Sequence, residues 1–270
     1  MIRYFSKDIK EELKLDLNLN GKKVLVTGAS KGIGLSIATV MAEEKAEVMI
    51  VSHNKSNLIQ AKSIIKKITG ISPKFLCCDL SKDSGREDLF ANMPDADIVI
   101  NNAGDIPTGT ISDLSINDWR RSWQLKVFGY IHLSSLYANS MINRQSGTII
   151  NIIGMVSSAI RNNYICGVTG NAALEAFTNS LGAQTAAHNV RVFGINPTLT
   201  LTGRVEKIFR NRAESETGDA ENWQTILDKL DLPFSRPTSP EEVARITALL
   251  ASPRASYLSG TVINFTGGVI

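Results

Sequence analysis

From about residue 23 onward, short apolar runs alternate with longer stretches whose apolar residues recur at helical spacing. The runs lie at 24–27, 48–51, 74–77, 98–100, 148–153, 191–195 and 261–265. They are apolar nearly throughout instead of alternating with polar residues, the pattern of parallel strands covered on both faces. Between them, Leu58, Ala61, Ile65 and Ile68 form a helical stripe that Gly70 is placed to end. Ala172, Ala173, Ala176, Phe177, Ser180 and Leu181 form a second stripe, poor in bulky groups on one side. Strands alternating with helices predict an α/β fold, a Rossmann-type doubly wound parallel sheet of about seven strands with helices on both faces.

Repeats, low-complexity tracts and linkers are absent from the sequence, so residues 21–270 are expected to form one domain. Two segments break the rhythm. Residues 1–20 form an N-terminal extension with Tyr4, Phe5, Ile9 and Leu13 at roughly helical spacing, readable as a surface helix or frayed tail, or as an inter-subunit arm. Residues 198–236 form a long insertion before the last helix and strand, and a long non-repeating segment of this kind often carries function.

Composition narrows the class. A chain of 270 residues suits one large α/β domain, and a net charge of +3 is too small to point to nucleic acid or a membrane surface. Its three cysteines make neither a disulfide framework nor a zinc pattern, and the three histidines are scattered, so no metal site is expected. Residues 1–20 are charged, with no signal-peptide core, and no apolar run nears the ~20 residues that span a bilayer. The expectation is a soluble, cytoplasmic protein.

Thr27 to Gly34 reads TGASKGIG, with a strand before it and a helical pattern after it. Such glycines permit a tight turn and close approach of backbone to a pyrophosphate, which then faces a helix N-terminus. Asn101 to Gly104 reads NNAG, directly after the fourth apolar run. Together these motifs resemble the short-chain dehydrogenase/reductase family, and the likeness extends over residues 20–270 to the closing Ser259-Gly260-Thr261 and Thr266-Gly267-Gly268.

The resemblance implies a nicotinamide cofactor held by Gly28, Ser30, Lys31, Gly32, Ile33 and Gly34, by His53 and Asn54, and by Asp79 and Leu80 against the adenine. It further implies Asn101 or Asn102 with Ala103 and Gly104 beside the ribose, and Pro197 and Thr202 near the nicotinamide. The second strand is followed by Ser52-His53-Asn54-Lys55 with no acid to accept from a ribose 2′-hydroxyl. Lys31, Ser52, Asn54, His53 and Lys55 would instead meet a 2′-phosphate, which favours NADP(H) over NAD(H).

The family's proton-transfer residues are a Ser, a Tyr-x-x-x-Lys and an Asn, and the matching positions here are Gly154, Gly167, Asn171 and Lys126. The alignment rests on Asn171-Ala172-Ala173-Leu174, where the family reads Lys-Ala-Ala-Leu, and on Trp119 placed seven residues before Lys126. Lys and Asn have exchanged places. Tyr164, three residues before Gly167, is the available phenol, and Lys126 is expected to supply its ammonium across the pocket. Ser157 and Ser158 are fallback donors; Cys166 reads either as a thiol nucleophile or as a small pocket-lining residue.

In the 198–236 segment Val205, Ile208 and Phe209 share a helix face edged by Arg204, Lys207, Arg210 and Arg212. This is either a substrate lid suited to an acyl thioester or another anion, or a solvated amphipathic helix. The leading functional reading is an NADP(H)-dependent oxidoreductase, 3-oxoacyl-reductase-like, passing hydride between nicotinamide and a small-molecule carbonyl or alcohol through a rearranged Tyr164/Lys126 pair with Asn171. A catalytically inactive NADP(H)-binding sensor or scaffold is the alternative, and lyase, epimerase or dehydratase chemistry is a third. The family likeness also implies a homo-oligomer, a dimer or tetramer.

Overall fold

The computed structural model describes residues 15–155 and 163–268. Seven strands form one parallel sheet in the order β3-β2-β1-β4-β5-β6-β7. They are β1 (Lys23–Thr27), β2 (Glu47–Ser52), β3 (Lys74–Cys77), β4 (Ile98–Asn101), β5 (Gly147–Ile152), β6 (Val190–Pro197) and β7 (Thr261–Phe265). Each apolar run of the sequence is one of these strands, extended by at most two residues at an end. The helices are α1 (Gly32–Glu43), α2 (Lys55–Thr69), α3 (Asp83–Asn92), α4 (Ile116–Leu125), α5 (Val127–Asn143), α6 (Ile165–Thr185), α7 (Gly203–Thr217), α8 (Trp223–Asp228) and α9 (Pro240–Ala251). The order of strands reverses between β1 and β4, and the crevice beyond the strand ends at that switch is where open α/β sheets bind ligands.

Strand residues alternate between two cores. Val24, Val26, Ile50, Ile100, Ile150 and Ile195 face α1, α2 and α9. Leu25, Val51, Val99, Ile149 and Val192 face α3 and α5 on the other side. Burial on both faces is why these strands are apolar at every position. Phe209, Ala213, Ile226 and Leu227 make a separate small core that joins α7 to α8.

Two helix stripes differ from expectation. In α2, Leu58, Ala61 and Ile65 are buried, but Ile68 is exposed. Gly70 ends the helix in the left-handed region, and Ile71 packs on the core in its place. In α6 the small-residue stripe points outward: Ala172, Ala173, Ala176 and Ser180 are exposed, while Asn171, Leu174 and Thr178 face in. The sheet-facing side of α6 therefore mixes polar and small residues with leucine, which hid it from an apolar count. The apolar pattern at Tyr4, Phe5, Ile9 and Leu13 lies outside the described residues.

Candidate functional site

At the switch point the turn after β1 is bound to the turn after β4. Thr27 is buried, and its Oγ1 accepts from Asn102 N at 2.9 Å and Ala103 N at 3.1 Å. Asn102 Nδ2 donates back to Thr27 O (3.0 Å) and Gly28 O (3.2 Å). A Cβ on Gly28, whose φ is +63°, would stand 2.8 Å from Ala103 Cα. A Cβ on Gly34 would land on Asn102 Nδ2 and Gly28 O. The glycine loop thus lies too close to its neighbours for side chains, and α1 begins at Gly32 with its N-terminal amides facing the crevice mouth. Gly32 is also capped from above, since its Cβ would meet Thr202 Cγ2 at 3.3 Å. Thr202 caps α7, accepting from Val205 N, so one residue joins the 203–217 helix to the glycine loop.

A dinucleotide fits this cradle: the backbone approach that the absent Cβ atoms permit is what a pyrophosphate requires. Ser30 Oγ and Ser52 Oγ are 3.2 Å apart, and exposed Lys31, His53 and Asn54 lie beside them in the chain. Asn54 Oδ1 accepts from Asn57 N at 2.9 Å to cap α2, which leaves its amide group as the donor. Asp79 Oδ1 accepts from Ser81 N and Ser81 Oγ, which holds the carboxyl below its ordinary range. Leu80 is buried in the core under β1 and β4, so its side chain is not a cofactor contact. Asn101 is likewise turned inward: its Nδ2 donates to Ser134 Oγ and Asn151 Oδ1, so Asn102 borders the crevice in its stead. Ile33 is half-buried against the α1 side, and Pro197 closes β6.

The second half of the site lies where β5 ends and α6 begins. Lys126 stands between α4 and α5, buried, and its Nζ donates to Ile153 O and to Asn171 Oδ1 (2.9 Å). Asn171 Nδ2 donates onward to Met155 O at 3.1 Å. Burial, with the charge of Arg204 second, lowers Lys126 to about 8. The exchanged Lys and Asn therefore meet each other. Gly154 makes room for them: its φ is +122°, and a Cβ there would stand 3.0 Å from Asn171 Nδ2.

Tyr164 caps α6 at its N-terminus, and its ring folds back along the first turn. A Cβ on Gly167 would land on Tyr164 Cζ, the carbon that bears the hydroxyl. The phenol head thus occupies the space at position 167 that a side chain would fill. Gly109 holds the strand-like entry to this residue, donating to Asn163 O at 2.5 Å. Burial raises the Tyr164 phenol, Arg204 lowers it, and Cys166 and Asp105 raise it.

No hydrogen bond joins Tyr164 to Lys126, and Lys126 is not among the groups whose charge acts on the phenol. The expectation of a direct ammonium–phenol contact is corrected accordingly: the lysine is held on the β5–α6 side by two acceptors. The other phenol of the region, Tyr130, donates to Ile152 O at 3.0 Å and is raised by burial. Cys166 is buried, which pushes its thiol up and argues against a thiolate nucleophile. Ser157 and Ser158 lie outside the described residues.

Over the crevice, Arg204 in the first turn of α7 donates to Ile106 O (2.9 Å) and pairs with Asp105 Oδ1 (3.1 Å). Arg210 pairs with Glu206 and Glu221, and Arg212 with Glu216. Of the four basic residues on that edge, three are already engaged by carboxylates, so the edge is not an open anion surface. Sequence reasoning passed over Thr27 and Asp105. A polar residue closing an otherwise apolar strand marks the first, and an acid directly after NNAG marks the second.

Comparison with known proteins gives these features a context. A family model described as short chain dehydrogenase matches residues 22–213. The 3-oxoacyl-[acyl-carrier-protein] reductase FabG of Chlamydia pneumoniae is 30% identical over 264 residues, covering 94% of this chain and 99% of its own. Among solved structures, L-sorbose reductase from Gluconobacter frateurii, complexed with NADPH and L-sorbose, superposes with a TM-score of 0.88 at 28% identity, covering 95% of this chain and 99% of its own. YwfH, an NADPH dependent reductase involved in bacilysin biosynthesis, superposes with a TM-score of 0.83 at 29% identity, covering 93% and 99%.

Proposed function

The chain belongs to the short chain dehydrogenase family, and from that premise we propose that it is an NADP(H)-dependent oxidoreductase of carbonyl or alcohol substrates, atypical in its proton-transfer residues. When bound, the nicotinamide supplies or accepts the hydride. The chain itself holds a proton at the Tyr164 hydroxyl, within reach of the substrate oxygen. The observation that carries this reading is the phenol head of Tyr164 standing where a side chain at position 167 would begin. A phenol three residues early has been folded back over a glycine to the same turn of α6.

Lys126 and Asn171 complete the arrangement as a buried pair on the β5–α6 side, with the ammonium fixed in place by two acceptors. We assign Lys126 to the ribose side of the cofactor and Asn171 to orienting Lys126. The phosphate loop, Asn102, Ala103 and Gly104 hold the dinucleotide, and Ser30, Lys31, Ser52, His53 and Asn54 take a 2′-phosphate in the absence of any acid there. The reductase relatives with NADPH in their descriptions support that preference. Residues 198–236 serve as a substrate lid, which their separate core and the Thr202 contact support. Exposed Phe128 and the outward small-residue stripe of α6 support a homo-oligomer, and three thiols without a disulfide suit a reducing cytoplasm. No helix among the described residues is long and apolar enough to cross a membrane.

The test is Tyr164→Phe. Turnover against a panel of ketones, sugars and acyl thioesters should fall by about 100- to 10,000-fold, the scale of a lost general acid, with NADPH affinity near wild type. Unchanged turnover removes Tyr164 from the mechanism. The absence of a direct Lys126–Tyr164 contact favours one second reading, a nucleotide-binding protein without turnover. Tight NADPH binding with no reduction of any panel member supports it.

A further inference from the structure

The mechanism above leaves a gap: a buried phenol needs a nearby positive charge, and Lys126 is turned away. Burial alone holds Tyr164 in its protonated form. In the family resemblance the lysine one turn along α6 lies beside the phenol, but here that position is Asn171, which accepts from Lys126. The guanidinium of Arg204 is the cation on the open side. It is fixed in place, although half-exposed, by Ile106 O at 2.9 Å and Asp105 Oδ1 at 3.1 Å. Both partners belong to the loop that runs on to Gly109, which is bridged to Tyr164. One loop therefore carries the Arg204 clamp at its start and the phenol's backbone neighbour at its end.

We propose that Arg204, rather than Lys126, supplies the positive charge against which the Tyr164 phenol works, and that Asp105 sets how much of that charge the phenol feels. The inference rests on Tyr164 as the proton-transfer group. The work of one family lysine is thereby divided: Lys126 holds the cofactor side, and Arg204 comes with α7 and the 198–236 segment. Arg204 is a positioning residue, since it acts through the phenol. The charged and titratable groups that face Tyr164 among the described residues are Arg204 from α7, Asp105 from the β4–α4 loop, Cys166 from α6 and Tyr130 from α5. Arg204 is the cation of this set. Because it arrives with the proposed lid, the phenol is tuned only when that segment is docked, as it is in this structure.

Two substitutions with opposite signs test this. Arg204→Gln removes the cation and should move the phenol's titration upward. Asp105→Asn removes the carboxylate that offsets the cation and should move it downward. Each displacement is expected to be about half a pH unit to one unit, below the 1–3 of a buried pair because Arg204 is half-exposed, and to shrink in ~1 M salt. The readout is direct: 3,5-difluorotyrosine placed at position 164 brings the titration towards neutral pH, and phenolate absorbance is read against the Tyr164→Phe protein. A structural clamp without electrostatic role predicts that both variants raise KM and neither moves the titration. Displacement in the same direction, or none, overturns the proposal. Normal turnover in Tyr164→Phe would instead remove the functional reading, while the titration would still report whether Arg204 acts on the phenol.

Discussion

The two ends of the site use glycine for opposite reasons. Beside β1 and β4, Gly28 and Gly34 are small because backbone and the Asn102 amide stand against them. Beside β5 and α6, Gly154 and Gly167 are small because the Asn171 and Tyr164 side chains have moved into the space. In the first region the glycines define a cradle for a ligand. In the second they record a rearrangement within the protein: each glycine is the counterpart of a side chain supplied from elsewhere. A glycine where a family has a catalytic side chain is therefore not by itself a sign of lost function. The neighbour that fills the space decides.

The sharpest way to break that comparison is to put a methyl group back at position 167. Gly167→Ala should drive the Tyr164 ring off the α6 turn and lower turnover by about as much as Tyr164→Phe, roughly 100- to 10,000-fold. It should also cost about 1–3 kcal/mol of stability through overpacking. The stability cost should vanish when Tyr164→Ala is added, because the colliding ring is gone. A double variant as unstable as Gly167→Ala alone, measured by denaturant unfolding, would show that the glycine serves the helix and not the phenol.

The buried lysine allows a second test, of smaller size and with a defined pH sign. Lys126 is lowered to about 8 in the folded protein, from an ordinary 10.5. Between those values the unfolded chain binds more protons than the folded one, so wild-type stability gains from this group as pH rises from about 8 to 10.5. Below pH 8 the cost of burying the ammonium is present in full. Lys126→Met removes that dependence. Relative to wild type it should be most favourable near pH 7 and lose on the order of 2–3 kcal/mol of that relative advantage by pH 10. The unsatisfied acceptors Ile153 O and Asn171 Oδ1 add a destabilisation that does not vary with pH. Parallel Tm-against-pH curves for the two proteins would contradict the burial argument.

The sheet was legible in the sequence because burial on both faces leaves parallel strands apolar at every position, and all seven runs are strands. The nucleotide half of the site was legible for a related reason: TGASKGIG and NNAG meet a local geometric demand, so their spacing carries their meaning. The remainder depends on contacts that no spacing shows. Asn101 and Asn102 are adjacent and chemically identical, yet one faces the core and the other the crevice, a consequence of strand alternation at the last residue of β4. Lys126 and Asn171 are 45 positions apart, and their exchange is visible in sequence, but the hydrogen bond between them is not. That Arg204 and not Lys126 acts on the phenol depends on how α7 sits over the loop after β4, a long-range packing fact.

The smallest expected effect lies at the far edge of the conserving half, where cofactor choice is made by exposed groups. Lys31 is the extended residue before α1, fully on the surface and without a capping role. Its ammonium is free to approach a 2′-phosphate beside Ser30 and Ser52, whose hydroxyls are 3.2 Å apart. Removing an exposed charge from one phosphate contact is worth about 1 kcal/mol, well below the 2–3 of a buried charged hydrogen bond. Lys31→Ala should therefore weaken NADPH by about 5- to 10-fold and leave NADH affinity unchanged, and the difference should narrow as salt is raised. Fluorescence titration with both nucleotides measures it. Equal loss for the two would place Lys31 on the shared pyrophosphate and pass the cofactor preference to Ser52, His53 and Asn54, where the turn after β2 offers donors and no competing acid.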